Sequence, residues 1–171
     1  MLLAKERLVL LHGNSKTFSD IGLLQLHEAL QLGPLTAEGK EALEESIAAH
    51  RRALSYNPRN TYAWVRLAQD MLIDDNESAK NVGHILQTSV KFAPYDSRLV
   101  VSRVDISLAV WNQLPEDVRE LMSRQIHIAA SQSPSILANL ARERFSLTQV
   151  VDLLSDDPVL LKRFVYAYSH L

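Results

Sequence analysis

Cysteine is missing from the sequence of 171 residues. This absence excludes disulfide bonds, a thiolate nucleophile and zinc sites built on cysteine. It also removes the evidence on the redox compartment that cysteines provide. For a soluble chain, both the cytoplasm and the periplasm are open on these grounds, and we favour the cytoplasm.

Long apolar runs and an excess of charge of one sign are missing as well. The longest apolar runs have about four residues, whereas a membrane-spanning helix needs about 20, so the sequence predicts no direct membrane insertion. Eighteen basic and 20 acidic residues give a net charge of −2, and neither half of the chain is strongly charged. A nucleic-acid partner is therefore not expected.

The first residues, MLLAKERLVLLHG, combine apolar and charged side chains. They lack the small-residue cleavage site of a signal peptide, and we do not identify them as one. An alternative is that they follow a membrane anchor, in which case the chain would be the soluble part of a tethered protein.

Glycine and proline, which most often interrupt helices, are few, at five and six residues. Apolar residues recur at the helical period in almost every segment, and strand signals are scarce. A strand is an alternative only at Leu99–Val101, where the apolar pattern continues too long for a single strand. The sequence predicts an all-α chain of about ten helices, the first of which runs from Leu2 to Leu11.

We assign the whole chain to a single all-α domain, 1–171. Within it, residues 1–18 form an N-terminal helix and loop, 19–113 form helical hairpins, and 114–171 form the C-terminal helices. A chain of this length can bury a core without disulfides or metals.

Capping residues and prolines predict where several helices begin and end. Residues 14–17 are expected to form a loop, after which Asp20 would cap the next helix. Thr36 would act as N-cap of the helix that follows. Asn57 and Pro58 would end that helix, because the residue before a proline is pushed out of the helical region.

Prolines at positions 58, 94 and 134 divide the helical pattern at separations of 36 and 40 residues, a range typical of helical-hairpin repeats. The residue types around Pro58 fit such a repeat. Ala53 lies five positions before this proline, and three more residues follow it by six, nine and ten positions: Trp64, Leu67 and Ala68. These residues resemble the end of one tetratricopeptide repeat and the beginning of the next.

The resemblance covers residues 46–94 and is weaker elsewhere. In the repeat before the first of these prolines, His50 occupies a position where a large apolar residue is usual. The repeat after the second has Val100 in place of the aromatic residue, and then Arg103 and Val104 where leucine and a small residue are expected. Another α-solenoid or an irregular helical bundle is the alternative.

The resemblance implies a right-handed α-solenoid of stacked antiparallel hairpins, with a divergent C-terminal helical part. In tetratricopeptide proteins the first helix of each hairpin lines a groove that binds an extended or helical peptide. Transferred by position, the groove has Arg66, Gln69 and Arg98 as polar anchors. The full set of implied partner-binding residues is Tyr62, Val65, Arg66, Gln69, Arg98, Val101, Ser102 and Asp105.

No catalytic signature accompanies the repeat. The six histidines are scattered, with no HExxH and no pair at i,i+4, and we expect His50 and His127 to be core or boundary residues. The acidic clusters at 74–77 and 156–157 lie where helices begin, a position that acidic residues favour. The sequence predicts no enzyme, no metal and no cofactor. A helical hydrolase or metal enzyme would require several of these side chains to meet in one pocket.

Aromatic and apolar residues outside the groove lead to structural expectations. Trp64 is predicted to pack within the repeat, and Trp111 to be half exposed. The C-terminal helix, DPVLLKRFVYAYSHL, is too apolar to be a bare cap, so it would either fold back on the preceding hairpin or pack on a second copy. The resemblance implies a protein that binds a peptide or helix of another protein, and a homodimeric structural module is the alternative.

Overall fold

The structure, a computed structural model, describes residues 14–74 and 79–171. These residues form nine α-helices and one short 3-10 turn, and no strand occurs among them. The prediction of an all-α chain is confirmed. None of these helices combines the length and the apolarity needed to cross a membrane. The helix predicted from Leu2 to Leu11 lies outside the described residues.

The chain divides into two compact units, and the boundary between them lies between Phe92 and Ala93. We call them the first unit and the second unit. The boundary falls within the range 19–113, which we assign to hairpins from the sequence. The assignment of 1–171 to a single domain stays a prediction.

The first unit contains four helices joined by short connections. They are α1 (Ser15–Leu32), α2 (Ala37–Tyr56), α3 (Thr61–Ile73) and α4 (Ala79–Phe92). Each helix packs against the next one, and α1 also contacts α3. Only residues 33–36 separate α1 from α2. Two helices joined by so short a loop run antiparallel, so α1 and α2 form a hairpin. Helix α3 packs on this hairpin.

The helix α1 begins earlier than the sequence predicts. We expect a loop at residues 14–17 and a cap at Asp20, but Asn14 is the N-cap and the helix starts directly after it. The Asn14 side chain accepts hydrogen bonds from the N–H of Lys16 at 3.0 Å and from that of Thr17 at 3.1 Å. Asparagine and aspartate are about equally strong N-cap residues, so cap preference alone does not choose between Asn14 and Asp20. The prediction for this helix end was wrong.

The ends of α2 agree with the sequence prediction. Thr36 is the N-cap, and its Oγ1 accepts a hydrogen bond from the N–H of Gly39 at 3.0 Å. The helix ends at Tyr56, and Asn57 is extended because the following Pro58 disfavours helical geometry before it. Capping and proline rules therefore locate both the hairpin loop and the turn before α3.

The second unit contains five helices. They are α5 (Ser97–Val110), α6 (Glu116–Gln132), α7 (Pro134–Glu143), α8 (Leu147–Leu153) and α9 (Pro158–Ser169), and a 3-10 turn follows α5 at Trp111–Gln113. Helix α5 packs against α6, α7 packs against both, and α8 contacts α6 and α7. Residues Leu99–Val101 are helical, which excludes the strand alternative.

The helix α9 folds back on the helices that precede it. It packs against α7 and α6, and Phe164 on its inner side is fully buried. Of the two alternatives for the apolar C-terminal helix, the fold-back is therefore present. Val159 and Tyr166 stay largely exposed.

Trp111 is more buried than the sequence predicts, with 9% of its surface exposed. The 3-10 turn directly continues α5, and Trp111 follows the buried residues Val104 and Ser107 by seven and four positions. Because these spacings lie on one helix face, Trp111 extends the buried face of α5. The prediction of a half-exposed side chain was wrong.

The helix α7 ends in a Schellman motif with an unusual residue. The N–H of Ser146 donates to the carbonyl of Ala141 at 2.9 Å, and the N–H of Phe145 donates to that of Arg142 at 3.2 Å. Phe145 has a φ of 52°, in the left-handed region where the motif usually has glycine. Another residue there costs about 1–2 kcal/mol. The motif therefore holds a phenylalanine on strained backbone.

Candidate functional site

Three of the predicted partner-binding residues share one side of α3. Tyr62, Arg66 and Gln69 follow one another at spacings of four and three residues, which places them in one row along the helix. Tyr62 is exposed, and Arg66 and Gln69 are half-buried. We call these three residues the α3 row. Val65 lies in the core with 4% of its surface exposed, so it offers little area to a partner and is not included.

Two hydrogen bonds hold the start of α3, the helix that carries the row. The Asn60 side chain accepts a hydrogen bond from the N–H of Ala63 at 3.1 Å and caps the helix. The Nε1–H of Trp64 donates to the carbonyl of Pro58 at 2.8 Å. The indole ring is therefore tied to the turn before α3, and the packing role expected for Trp64 stays a prediction.

Arg66 is the cation of the α3 row. Its Nη1 is buried and has no hydrogen-bond partner among the described residues. Burial lowers the pKa of Arg66, while the charges of Asp20 and Asp70 oppose this shift. Since an arginine stays protonated in proteins, the row contains a charged guanidinium with an unused donor.

Beside the row, Asp70 of α3 and His50 of α2 form a buried pair. Both side chains are fully buried, and His50 Nδ1 lies 2.6 Å from Asp70 Oδ2. Ser46 precedes His50 by one helical turn, and its Oγ donates to the carbonyl of Gly22 in α1 at 2.8 Å. We call Gly22, Ser46, His50 and Asp70 the polar cluster. It links the first three helices of the unit.

The polar cluster is incompletely paired. His50 Nε2 and Asp70 Oδ1 are buried, and neither has a hydrogen-bond partner in the part of the chain that the structure describes. A Cβ atom added to Gly22 would lie 2.6 Å from His50 Nε2. Glycine is favoured at this position because a side chain would overlap the imidazole ring.

The environment of Asp70 changes its protonation. Burial raises the pKa of Asp70, and hydrogen bonds and charge from His50, Ser46 and Arg66 oppose that rise. A carboxyl group that is removed from water holds its proton more tightly than an exposed one. The polar cluster therefore couples the protonation of Asp70 to the packing of α1, α2 and α3.

The polar cluster lacks the arrangement of a hydrolase. In a Ser-His-Asp triad the serine and the aspartate occupy opposite nitrogens of the imidazole. Here Ser46 Oγ and Asp70 Oδ2 both face Nδ1 of His50, at 3.5 and 2.6 Å. All three side chains are fully buried, so a substrate has no access to them. The polar cluster is therefore not a catalytic triad.

Acidic residues of the second unit have structural partners. Asp157 is the N-cap of α9, as the sequence predicts for a cluster at a helix start. Asp156 lies 3.1 Å from Nε2 of His127, a residue at the boundary of the core. Of the first acidic cluster, residues 75–77 lie outside the described residues. Within the described ranges no three His, Cys, Asp or Glu side chains are placed to hold a metal ion together.

The remaining predicted partner-binding residues lie on one side of α5, in the second unit. They are Arg98, Val101, Ser102 and Asp105. Arg98 forms an ion pair with Asp96 at 2.8 Å, and Asp105 forms one with Arg144 at 2.7 Å. The charged members therefore already have partners within their own unit. The predicted residues thus form two separate groups, the α3 row in the first unit and these four residues in the second unit.

Two features of the structure are not predicted from the sequence. One is the pairing of His50 with Asp70, which requires contact between α2 and α3. The other is a cavity of about 460 Å³ in the second unit, bordered by the 3-10 turn and by α8 with the residues before it. Ser146 and Gln149 form the pattern S-x-x-Q of a capping box, yet Ser146 makes no side-chain cap bond. The pattern predicts a capped helix, so it gives no signal of the cavity in the sequence.

Comparison with known proteins identifies no relative. No protein-family model, no curated protein and no solved structure gives a match to the chain. The tetratricopeptide resemblance therefore depends on the residues around Pro58 and on the packing of consecutive helices in pairs. The function has to be inferred from the surfaces of the two units.

Proposed function

We propose that the protein is a non-catalytic, tetratricopeptide-like module that binds a peptide or helix of another protein through the α3 row. The observation that carries this proposal is the half-buried guanidinium of Arg66, whose Nη1 has no hydrogen-bond partner among the described residues. Leaving such a donor unpaired costs about 1–3 kcal/mol. A partner carbonyl or carboxylate that draws the guanidinium outward would supply the missing acceptor.

Tyr62 and Gln69 extend the α3 row on either side of this cation. A tyrosine ring provides apolar contact area and a polar hydroxyl group. The amide of Gln69 can both donate to and accept from a peptide main chain. Tyrosine and arginine are also enriched where protein interfaces bind most strongly. The row therefore suits an extended or helical peptide with acceptor groups near its centre.

The polar cluster supports the row from the interior. Asp70 directly follows Gln69 and lies one helical turn after Arg66. Its bond to His50 holds this part of α3 against α2. A binding surface gains from such support because less conformational freedom is lost when the partner binds.

A capture experiment from the lysate of the source organism tests this proposal. We expect Tyr62→Ala combined with Arg66→Glu to lose a protein that the unmodified chain retains. The matched control is Tyr95→Ala combined with Arg59→Glu, which makes the same changes at exposed positions outside the row. Circular dichroism has to show equal helix content for all three proteins. Equal retention by the row variant and the unmodified chain would reject the α3 row as the binding surface.

A homodimeric structural module is the second candidate, and the outer side of α9 favours it. Val159, Val165 and Tyr166 are 69%, 47% and 67% exposed. Val159 and Tyr166 are seven positions apart and share one side of the helix, and exposed apolar groups on one side often mark an interaction surface. Light scattering at micromolar concentration distinguishes the candidates. A dimer that Tyr166→Ser converts to a monomer would support self-assembly, whereas a monomer at all concentrations would reject it.

A further inference from the structure

We infer that the second unit contains a separate binding site beside Phe145, which takes the cationic side chain of a basic peptide segment. The site is the cavity of about 460 Å³ bordered by the 3-10 turn and α8. The cavity combines an exposed aromatic ring, a single carboxylate and neutral polar atoms without partners among the described residues. We call it the Phe145 site.

Phe145 combines two unfavourable features in one residue. Its φ of 52° is a conformation that favours glycine, and 96% of its surface is exposed. Glycine would relieve the backbone, and a polar side chain would relieve the exposure of the ring to water. Residues that keep such strain are concentrated at ligand sites. A ligand that covers the ring accounts for both features.

The charge of the lining determines the kind of ligand. Asp152 is exposed and is the only charged residue among those that line the cavity. A cation that enters the cavity can lie over the face of the aromatic ring and be attracted by the carboxylate, since both line the same cavity. An arginine guanidinium suits both contacts because it is planar and donates two parallel hydrogen bonds to a carboxylate.

Neutral polar groups in the lining indicate that the cation belongs to a peptide. Ser146 Oγ and Gln149 Nε2 are buried without hydrogen-bond partners in the described part of the chain, and Ser146 is only 6% exposed. Gln149 Nε2 is a donor and requires an acceptor, which a main-chain carbonyl provides once the side chain turns toward the cavity. The Asn112 amide is a further group in the lining that can bond to a main chain.

A metal ion does not fit these groups, because one carboxylate and neutral side chains make a poor ligand set for a hard cation. The Phe145 site shares with the proposed function only the class of partner, a protein. It lies in the second unit and uses no residue of the α3 row. The two proposals can therefore fail independently.

Fluorescence anisotropy with two labelled peptides tests the site. One peptide has arginines spaced by serine and glycine, and the other has neutral citrulline in place of each arginine. We expect saturable binding of the arginine peptide and at least about tenfold weaker binding of the citrulline peptide, because the ion pair and the cation–π contact are lost. No saturable binding, or equal binding of both peptides, overturns the inference.

Two variants and two controls locate the binding. We expect Phe145→Gly and Asp152→Asn each to weaken the arginine peptide by about fivefold or more. Phe145→Gly should leave the thermal midpoint of the second unit unchanged or raise it, since glycine relieves the strained backbone. Lost affinity at undiminished stability separates ligand contact from a structural role. Tyr95→Ala and Glu28→Gln, which remove an aromatic ring and a carboxylate elsewhere, should bind like the unmodified chain.

A third measurement follows the Gln149 side chain directly. Addition of the arginine peptide should shift the NMR signals of its side-chain NH₂ group. If these signals do not shift, or if both site variants bind the arginine peptide as tightly as the unmodified chain, the Phe145 site is rejected. That outcome does not affect the capture experiment on the α3 row. If the row variant and the unmodified chain retain the same proteins while the arginine peptide still binds, only the proposed function is rejected.

Discussion

Among the described residues, the first unit buries two ionisable side chains, His50 and Asp70, and the second unit buries one, Arg103. In the first unit Asp70 is paired with His50, and each side chain keeps one buried atom without a hydrogen-bond partner among the described residues. In the second unit Arg103 is fully buried. Its Nη1 donates to the carbonyl of Ala93 at 2.9 Å and to Gln125 Oε1 at 3.2 Å.

The difference lies in what each buried group is bound to. Gln125 donates in turn to the carbonyl of Pro94 at 2.9 Å, so the Arg103 network ends on the backbone. Burial lowers the pKa of Arg103 to about 10, with Asp96 opposing the shift, and the cation persists at neutral pH. The polar cluster also reaches the backbone, at the carbonyl of Gly22, but it contains a titratable carboxyl group, that of Asp70, whose pKa burial raises. It should therefore be the more sensitive of the two to mutation and to pH.

Each unit contains one of the two tryptophans, Trp64 in the first and Trp111 in the second. Replacing either one by phenylalanine leaves a single fluorescent reporter for the other unit. Urea unfolding can then give a free energy of unfolding for each unit separately. This design allows the comparison to be tested one unit at a time.

The largest effect is expected from His50→Ala. The variant leaves the buried Asp70 carboxyl without its partner and opens a space where the imidazole was. Breaking a buried pair in this way costs about 3–5 kcal/mol, and the loss should be seen by Trp64. His84→Ala, which removes an exposed histidine of the same unit, should stay within about 0.5 kcal/mol of the unmodified chain. A loss below about 1 kcal/mol for His50→Ala would show that the pair contributes little to folding.

A smaller loss, confined to the second unit, is expected from Arg103→Met. Methionine fills much of the volume of the arginine stem but leaves the Ala93 carbonyl and Gln125 Oε1 without this donor. An unsatisfied buried acceptor costs about 1–3 kcal/mol, and the change should be reported by Trp111. A larger change in the fluorescence of Trp64 would mean that the effect of Arg103 is not confined to the second unit.

Gly22→Ala tests the close approach of α1 to the polar cluster. The new Cβ would overlap the His50 ring, and overpacking of this kind costs about 1–3 kcal/mol. Because alanine is the better helix former by about 1 kcal/mol, the net loss should be smaller than that of Arg103→Met. In the His50→Ala background the overlap is absent, so the same substitution should become neutral or stabilising. Additive losses in this double-mutant cycle would contradict the contact.

The sequence was sufficient for helix ends that one local signal decides. Thr36 and Pro58 each act alone, and the structure has α2 between them. At the start of α1 two good caps compete, Asn14 and Asp20, and local rules do not choose between them. The choice follows from packing, since Phe18 is buried and stacks on Tyr56 of α2 at 5.4 Å between ring centroids, which requires helix before Asp20.

For the candidate site, spacing was sufficient to place Tyr62, Arg66 and Gln69 in one row. It was not sufficient for Val65, whose burial depends on how α3 lies against its neighbours. The pair of His50 and Asp70 was also beyond the sequence, because the two residues are 20 positions apart on different helices. A histidine in place of an apolar repeat residue was the available signal, and its partner could be named only from tertiary contacts.

The effect of pH should be the smallest and should differ in sign between the units. The pKa of Asp70 is raised by burial above its ordinary value of 3.8. The folded first unit therefore binds this proton more tightly than the unfolded chain does. Its contribution to stability is complete below pH 3.8 and is lost as the pH rises through the folded-state pKa.

Asp96 of the second unit should act in the opposite direction. The side-chain hydrogen bond from Arg98 lowers the pKa of Asp96 below 3.8, so its contribution is present above that pH and is lost as the pH falls through the lowered value. Comparing the unmodified chain with Asp70→Asn and Asp96→Asn at a series of acidic pH values isolates each group, because asparagine keeps the shape and can still cap α5. As the pH rises, the stability difference should shrink for Asp70 and grow for Asp96. A stability difference that grows with pH for Asp70 would mean that burial does not control the protonation of this group, and the contrast between a titrating Asp70 and a permanently charged Arg103 would fail.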